Sequence, residues 1–442
     1  MEYPGRVSIL FMAAVISVFL QNVFAAKCPC DLYDSAGTPC VAAHSMVRAL
    51  YGSYNGPLYQ VRRTPDNKTM DIGVLTPGGF ADAAVQDSFL KNASGTISII
   101  YDQSPKGNHL KVAPGGRGPL LDLRDPCKEA DAKALKLKVN GHSVYGLSTT
   151  SRQGYRNDNA TGLAIGDEPE GMYMVTSGKH VSDQCCFDYG NACRNDSAGA
   201  NGTLETIYFG TCNWWTSGSG NGPWVMADLE NGLYAIGANG NSQNSASLPH
   251  DYVTAMLKGK AGRMALKGGN AQSGSLQTMF DGARPTGYNT MVKQGGIVLG
   301  IGGDNSNWGF GTFFEGCITT GYPSDSVENA VQANIFTAGY GSSIVPAVRG
   351  GHSPSPSHRL TVRCNKSTTN AVITCAVPEA GHLCLTIVDQ QGRRVAEVVN
   401  DAVSPGRYQT VWNYWQVPPG IYLWKLLLDG KDGEAGRIVI GK

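Results

Sequence analysis

Apolar runs in this chain are short, rich in β-branched and aromatic residues, and cut off by clusters of glycine, asparagine, aspartate and proline. Thr96-Ile-Ser-Ile-Ile-Tyr101, Gly171-Met-Tyr-Met-Val175, Glu205-Thr-Ile-Tyr-Phe209 and Ile297-Val-Leu-Gly-Ile301 all have this form. Runs of this length and composition between turn-forming clusters read as strands. With 57 glycines among 442 residues, turns are plentiful. Helical spacing is rare; Cys40 to Leu50 is the clearest case, where Val41, Ala43, Val47 and Leu50 give a partly apolar face. Strands without alternating helices exclude a doubly wound sheet and a TIM barrel. The expected fold is all-β, a two-sheet jelly-roll (concanavalin-like) sandwich.

The amino terminus reads as an address. Arg6 precedes the apolar run Val7 to Leu20, and Val23-Phe24-Ala25 or Phe24-Ala25-Ala26 offers small residues for cleavage. That is the pattern of a secretory signal peptide over 1–26. Lys27 before Cys28 rules out a lipid-attachment signal, and no other segment approaches bilayer length. The expectation is a secreted protein without a membrane span. Twelve cysteines fit an oxidising compartment. A net charge of +1 without a basic stripe argues against nucleic acid as partner. The eight histidines are scattered and match no zinc spacing, so no metal or other cofactor is expected.

Three mature regions follow. Residues 27–346 read as one large unit without internal repeat, and 347–358, rich in Pro, Ser and Gly, as a linker. Residues 359–442 read as a small β-sandwich. There Leu383, Leu385 and Ile387 alternate with Cys384, Thr386 and Val388, and Gly406-x-Tyr408 is echoed by Gly420-x-Tyr422.

Within the large unit, Pro223 to Gly232 carries the most chemistry. On a strand, Val225, Ala227 and Leu229 share a core face, while Trp224, Met226, Asp228 and Glu230 share the other. Asn231-Gly232 supplies two positive φ angles for a hairpin, with Leu233 to Ile236 as the return strand. Two carboxylates on an aromatic-lined face suit glycoside hydrolysis, and two residues of strand separate them by roughly 6.6 Å. Exposed acids at a strand end are the plain alternative. From the residues alone, Asp304 in Gly302-Gly-Asp-Asn305 reads first as a turn cap, and Glu315 as a structural acid.

Several blocks, taken together, resemble the catalytic domain of glycoside hydrolase family 54, the secreted α-L-arabinofuranosidases. They are Cys30-Asp-x-Tyr33, Thr38-Pro-Cys40-Val-Ala-Ala-His44, Gly56-Pro-Leu-Tyr-Gln60, Ile99-Ile-Tyr-Asp-Gln-Ser104 and Gly107-Asn-His-Leu110. Next come Glu170-Gly-Met-Tyr173, Cys185-Cys-Phe-Asp-Tyr-Gly-Asn191, Gly222-Pro-Trp224 through Asn231, Gly300 to Asn307, and Phe314-Glu-Gly316 with Gly321 to Asp325. The adjacent pair Cys185-Cys186 is the rarest of them.

That resemblance implies a retaining double displacement with Glu230 as nucleophile and Asp304 as proton donor, the first ionised and the second protonated at rest. Retention needs the carboxyl groups roughly 5–5.5 Å apart. It further implies substrate binding by Asp228, Asn231, Gly232 and Gly303, and a pocket tryptophan at Trp215, with Trp214 as competitor. It implies disulfides Cys30–Cys40 and Cys185–Cys186, the latter lying against the sugar. The competing arrangement joins Cys185 or Cys186 to Cys193 or Cys212; Cys193–Cys212 is itself a reasonable bridge. Cys127, Cys193, Cys212 and Cys317 are additions to the family pattern.

The carboxyl-terminal region departs from the fungal members. It resembles immunoglobulin-like domains of secreted bacterial proteins, related to hook-capping and sorting domains, which implies export, anchoring or spacing. The activity implied is exo-acting removal of arabinofuranosyl groups from plant cell-wall arabinoxylan or arabinan. A lectin on the same scaffold would need no acid–base pair, and a relative acting on β-xylosides or another furanoside is the remaining alternative.

Overall fold

The computed structural model describes residues 27–116, 121–194, 199–235, 245–272, 275–341, 345–346, 361–366, 370–377, 381–403, 406–414 and 417–441. The leader 1–26 and the linker 347–358 lie outside the described residues.

Two antiparallel sheets build the large unit. The six-stranded sheet runs, edge to edge, through Cys40–Ser45, Glu315–Thr320, Glu170–Thr176, Val253–Lys260, Arg263–Asn270 and Gln277–Ala283. The ten-stranded sheet runs through Leu233–Tyr234, Trp224–Asp228, Glu205–Gly210, Asp188–Ala192, Gly296–Leu299, Tyr155–Asn157, Leu110–Val112, Gly95–Ile100, Pro57–Arg63 and Thr69–Gly73. Val41, Tyr173, Leu257 and Ile318 of the first sheet join Ile207, Val225, Ile297 and Ile97 of the second in one core. Apolar faces of two sheets closing on each other make a sandwich. The all-β expectation holds.

Helices are few, and they are not where spacing put one. Cys40 to Leu50 begins with a strand, Cys40–Ser45, every residue of which is buried. Burial on both faces removes the period-2 alternation, so the segment imitates a helical stripe. The actual helices are Pro29–Ser35, Ala83–Leu90 and Asp325–Thr337. Asp82 and Ser324 cap the latter two, their side chains accepting backbone N–H bonds from the first turn. No helix among the described residues is long and apolar enough to cross a membrane.

The carboxyl-terminal unit has two four-stranded antiparallel sheets and its own core. Leu383, Leu385 and Ile387 are buried as the alternation requires, and so are Tyr422, Trp424, Leu426 and Leu428. Val345–Pro346, which the sequence assigns to the large unit, instead pairs with Gln409 and Tyr408 of this second unit. Two residues are too few to show a strand period.

Candidate active site

The hairpin at residues 224–234 behaves as its alternation requires. Val225, Ala227 and Leu229 enter the main core. Trp224 and Met226 face the other way, into a small cluster with Cys185, Cys186, Tyr208 and Cys212. Asp228 shares that second face. The strand, however, stops at Asp228. Asp228 pairs with Leu233 and Ala227 with Tyr234, which leaves Glu230-Asn231 as the two-residue loop. Positive φ accordingly falls on Glu230 (64°) and Asn231 (59°), not on Asn231 and Gly232.

A left-handed conformation costs a non-glycine residue about 1–2 kcal/mol, and here the surroundings hold it. The Leu229 N–H bonds to the Gly232 carbonyl (3.2 Å), and the Tyr288 hydroxyl donates to the Glu230 carbonyl (2.8 Å). Asp228 Oδ1 accepts the Glu230 N–H at 3.0 Å. The Glu230 side chain thus leaves the sheet face and comes to rest 3.7 Å from Cys193 Sγ, with Oε1 accepting the Gly199 N–H (3.3 Å).

The Gly302–Ser306 loop closes over this carboxyl. Gly303 lies so near that a Cβ there would sit 2.7 Å from Glu230 Oε2 and 2.8 Å from Cys193 Sγ. Only glycine permits that approach. A Cβ on Gly302 would fall 3.2 Å from Cys186 Sγ. Within the loop, Asp304 Oδ1 accepts the Ser306 N–H at 2.8 Å, so the turn cap anticipated as an alternative is present alongside any chemical role. Buried Arg156 donates to the carbonyls of Gly303 and Cys193, joining the two walls.

Cys185 and Cys186 are bonded to each other. Cys186 Sγ lies 3.4 Å from Asp228 Oδ2 and 3.7 Å from the Ser306 hydroxyl, so the pair touches both the hairpin and the 302–306 loop. Cys193 and Cys212 are not joined. They sit in different places, Cys193 against Glu230 and Cys212 in the cluster beneath Trp224. The Cys30–Cys40 bond is likewise not formed; Cys317 packs with both thiols, all three sulfurs lying within 4.8 Å of one another. Three sulfurs share the space that the motif reserves for two.

Substrate-binding expectations fare unevenly in geometry. Asp228 lines the pocket. The Asn231 amide donates to the Gly199 carbonyl and to Asn201 Oδ1, both at 3.1 Å. Gly232 faces the Tyr234 ring, which a Cβ would meet at 2.5 Å. Trp214 and Trp215 are 54% and 44% exposed with ring centroids 5.8 Å apart, so both remain available to a ligand. Glu315 is structural: it is fully buried and bonded to Arg48 at 2.6 and 2.7 Å and to Tyr340 at 2.8 Å.

Electrostatics set the pocket apart. Burial, with the Asp228 and Asp304 charges beside it, pushes Glu230 up to about 8. Burial also lifts Asp228 to about 7, against the Asp188 and Glu230 N–H bonds that favour its charge. Asp188, behind Asp228 and fully buried, is raised well above the usual carboxylate range by burial and by Asp228. The resemblance implies an ionised Glu230; burial beside other acids in low dielectric works against that charge.

Residues 29–341 match the family described as "Alpha-L-arabinofuranosidase B, catalytic". The chain belongs to that family. An Aspergillus fumigatus relative, "Probable alpha-L-arabinofuranosidase B", is 53% identical over 316 residues, which is 71% of this chain and 62% of the relative. "Alpha-L-arabinofuranosidase B" of Aspergillus oryzae is 50% identical, covering 74% and 65% respectively. The chain thus spans less than two thirds of these relatives' length. A solved "arabinofuranosidase complexed with arabinofuranosyl-alpha-1,2-xylobiose" superposes with TM-score 0.69 at 45% identity, covering 80% of this chain and 73% of that one.

Sequence reasoning missed three members of this arabinofuranosidase-family pocket: Asp188, Cys193 and Tyr288. For Asp188 a signal existed, since it lies two residues after the Cys185-Cys186 pair within the same motif block. For Cys193 and Tyr288 none did; only the tertiary fold brings them to Glu230.

Proposed function

We propose that the protein is a secreted, retaining, exo-acting α-L-arabinofuranosidase that removes terminal arabinofuranosyl groups from arabinoxylan or arabinan. The observation that carries this reading is the contact of Gly303 with the Glu230 carboxyl, which brings the Asp304 loop and Glu230 to one spot. In this mechanism Glu230 attacks the anomeric carbon while Asp304 protonates the departing oxygen. Asp304 then takes a proton from water, which opens the glycosyl–enzyme ester. The glycosylation step needs one proton between Glu230 and Asp304. Catalysis starts from the arrangement that has it on Asp304. The Cys185–Cys186 sulfurs and Asp228 then form the floor and one hydroxyl-binding wall.

The leader-like amino terminus supports secretion, and the second β unit supports a role in anchoring or spacing, like the immunoglobulin-like domains it resembles. A Trichoderma koningii relative, 51% identical, is described as "Arabinofuranosidase/B-xylosidase", which makes β-xylosides the second substrate to assay. The test is hydrolysis of 4-nitrophenyl α-L-arabinofuranoside beside the β-xyloside, with the first-formed anomer read by NMR. Release of the α-anomer of arabinose supports the reading. Release of the inverted anomer, or no turnover of either glycoside, overturns it.

A further inference from the structure

We infer that Asp188 is a neutral carboxylic acid whose O–H holds Asp228 in place, so that an acid–carboxylate pair forms the hydroxyl-binding wall of the pocket. This rests on the reading of Asp228 as a substrate contact, and it assigns the group behind that contact.

Asp188 opens the strand Asp188–Ala192; its neighbours are Glu205–Gly210 and then Trp224–Asp228. Asp188 pairs with Tyr208, and Thr206 pairs with Asp228, so Asp188, Thr206 and Asp228 stand on one face. As a carboxylate, Asp188 is left with two buried oxygens that no donor satisfies, and the Thr206 hydroxyl is orphaned as well. A buried polar atom without a partner is rare and unfavourable. One added proton gives the Asp188 carboxyl a partner, because the Asp188 O–H donates to Asp228.

Placement fixes which acid holds the proton. Asp228 already accepts the Glu230 N–H, which stabilises a charge there. The Asp188 carboxyl accepts no bond from any N–H and is fully buried. The groups facing it are acidic or neutral: Asp228 and Glu230 on the hairpin, Asp304 beyond Asp228, and Tyr208 on the intervening strand. On its other side, Gly296–Leu299 is apolar. Arg156 is turned to the Gly303 and Cys193 carbonyls and to Asp158.

Asparagine supplies an N–H where the acid supplies O–H, whereas alanine supplies nothing. Asp188→Asn should keep KM for the aryl arabinofuranoside within about threefold, and Asp188→Ala should raise it about tenfold, the size of one hydrogen bond to a charged group. At high pH, where Asp188 loses its proton, the wild-type KM should climb while that of Asp188→Asn stays level. Independently of turnover, the infrared spectrum at neutral pH should contain an acid carbonyl band that disappears in Asp188→Asn. An Asn variant as impaired as the Ala variant overturns the proposal. So does a spectrum lacking that band. Because the band needs no substrate, failure of the arabinofuranosidase reading alone would leave it intact.

Discussion

Two sets of buried acids flank a single strand, and the molecule treats them in opposite ways. Glu205 and Thr206 are adjacent on Glu205–Gly210 and therefore face opposite sides. On the Glu205 side, Lys293 Nζ lies 2.9 Å from Glu205 and 3.1 Å from Glu170, and Arg284 bonds Glu205 at 2.9 Å and Asp167 at 2.7 Å. Against the effect of burial, these cations hold Glu205 down to about 2, while burial and the Glu205 charge still push its neighbour Glu170 up to about 8. On the Thr206 side, Asp188, Asp228 and Glu230 gather with no cation bonded to them among the described residues, and all three are pushed up. The first arrangement fixes the sandwich. The second leaves charge uncompensated where a positively charged transition state would supply the compensation.

The sharpest break of this contrast is Glu230→Gln. Turnover should fall by many orders of magnitude, since no covalent intermediate can form. Stability should move the other way. Folding raises Glu230 from 4.5 to about 8, so its burden on the native state is absent below 4.5 and grows as pH rises toward 8. Removing the charge should stabilise the protein by about 2 kcal/mol at pH 8, part of the roughly 1.4 kcal/mol per unit that the shift represents. Urea unfolding at pH 4 and pH 8 measures this; equal or lower stability of the variant at pH 8 would erase the contrast.

Asp304→Asn comes next. Substrates with poor leaving groups, such as arabinoxylan, should slow by about 10²–10⁴, and aryl arabinosides far less. Wild-type kcat/KM should fall on the alkaline side, where no proton is left for the leaving oxygen. In Asp304→Asn that alkaline limb should vanish. Equal slowing of both substrates would make Asp228 the first candidate donor.

On the compensated side, Lys293→Met should lower stability by about 3–5 kcal/mol, the loss expected when a buried ion pair is broken. KM should barely change. A variant that folds normally but binds substrate poorly would mean that the two acid sets are coupled through the strand.

The smallest expected effect belongs to the paired sulfurs. Cys185→Ala/Cys186→Ala should raise KM by up to about tenfold, as lost contacts of 1–2 kcal/mol would, with little change in melting temperature. A bond between neighbours restricts the unfolded chain hardly at all. A large melting-temperature drop with unchanged KM would reverse that assignment.

Local alternation made much of this molecule readable. Val225, Ala227 and Leu229 facing the core, and Leu383, Leu385 and Ile387 in the second unit, follow from period two alone. Cys40–Ser45 defeated the same rule because both its faces are buried. Glu230 was identified as functional, but its placement one residue into the turn depends on the Asp228–Leu233 register, which tertiary packing selects. The protonation of the pocket was beyond reach of sequence, since it arises from Asp188, Asp228, Glu230 and Asp304 converging from three separate segments.

The left-handed backbone at Glu230 has a consequence for how this chain drifts. Glycine or asparagine would fit that turn position with less strain and without the buried charge. Selection for stability alone would discard the glutamate first. With Glu230 as the proposed nucleophile, descendants released from sugar cleavage would lose it by becoming better folded, and the same Glu230→Gly change would be a starting point for a glycosynthase.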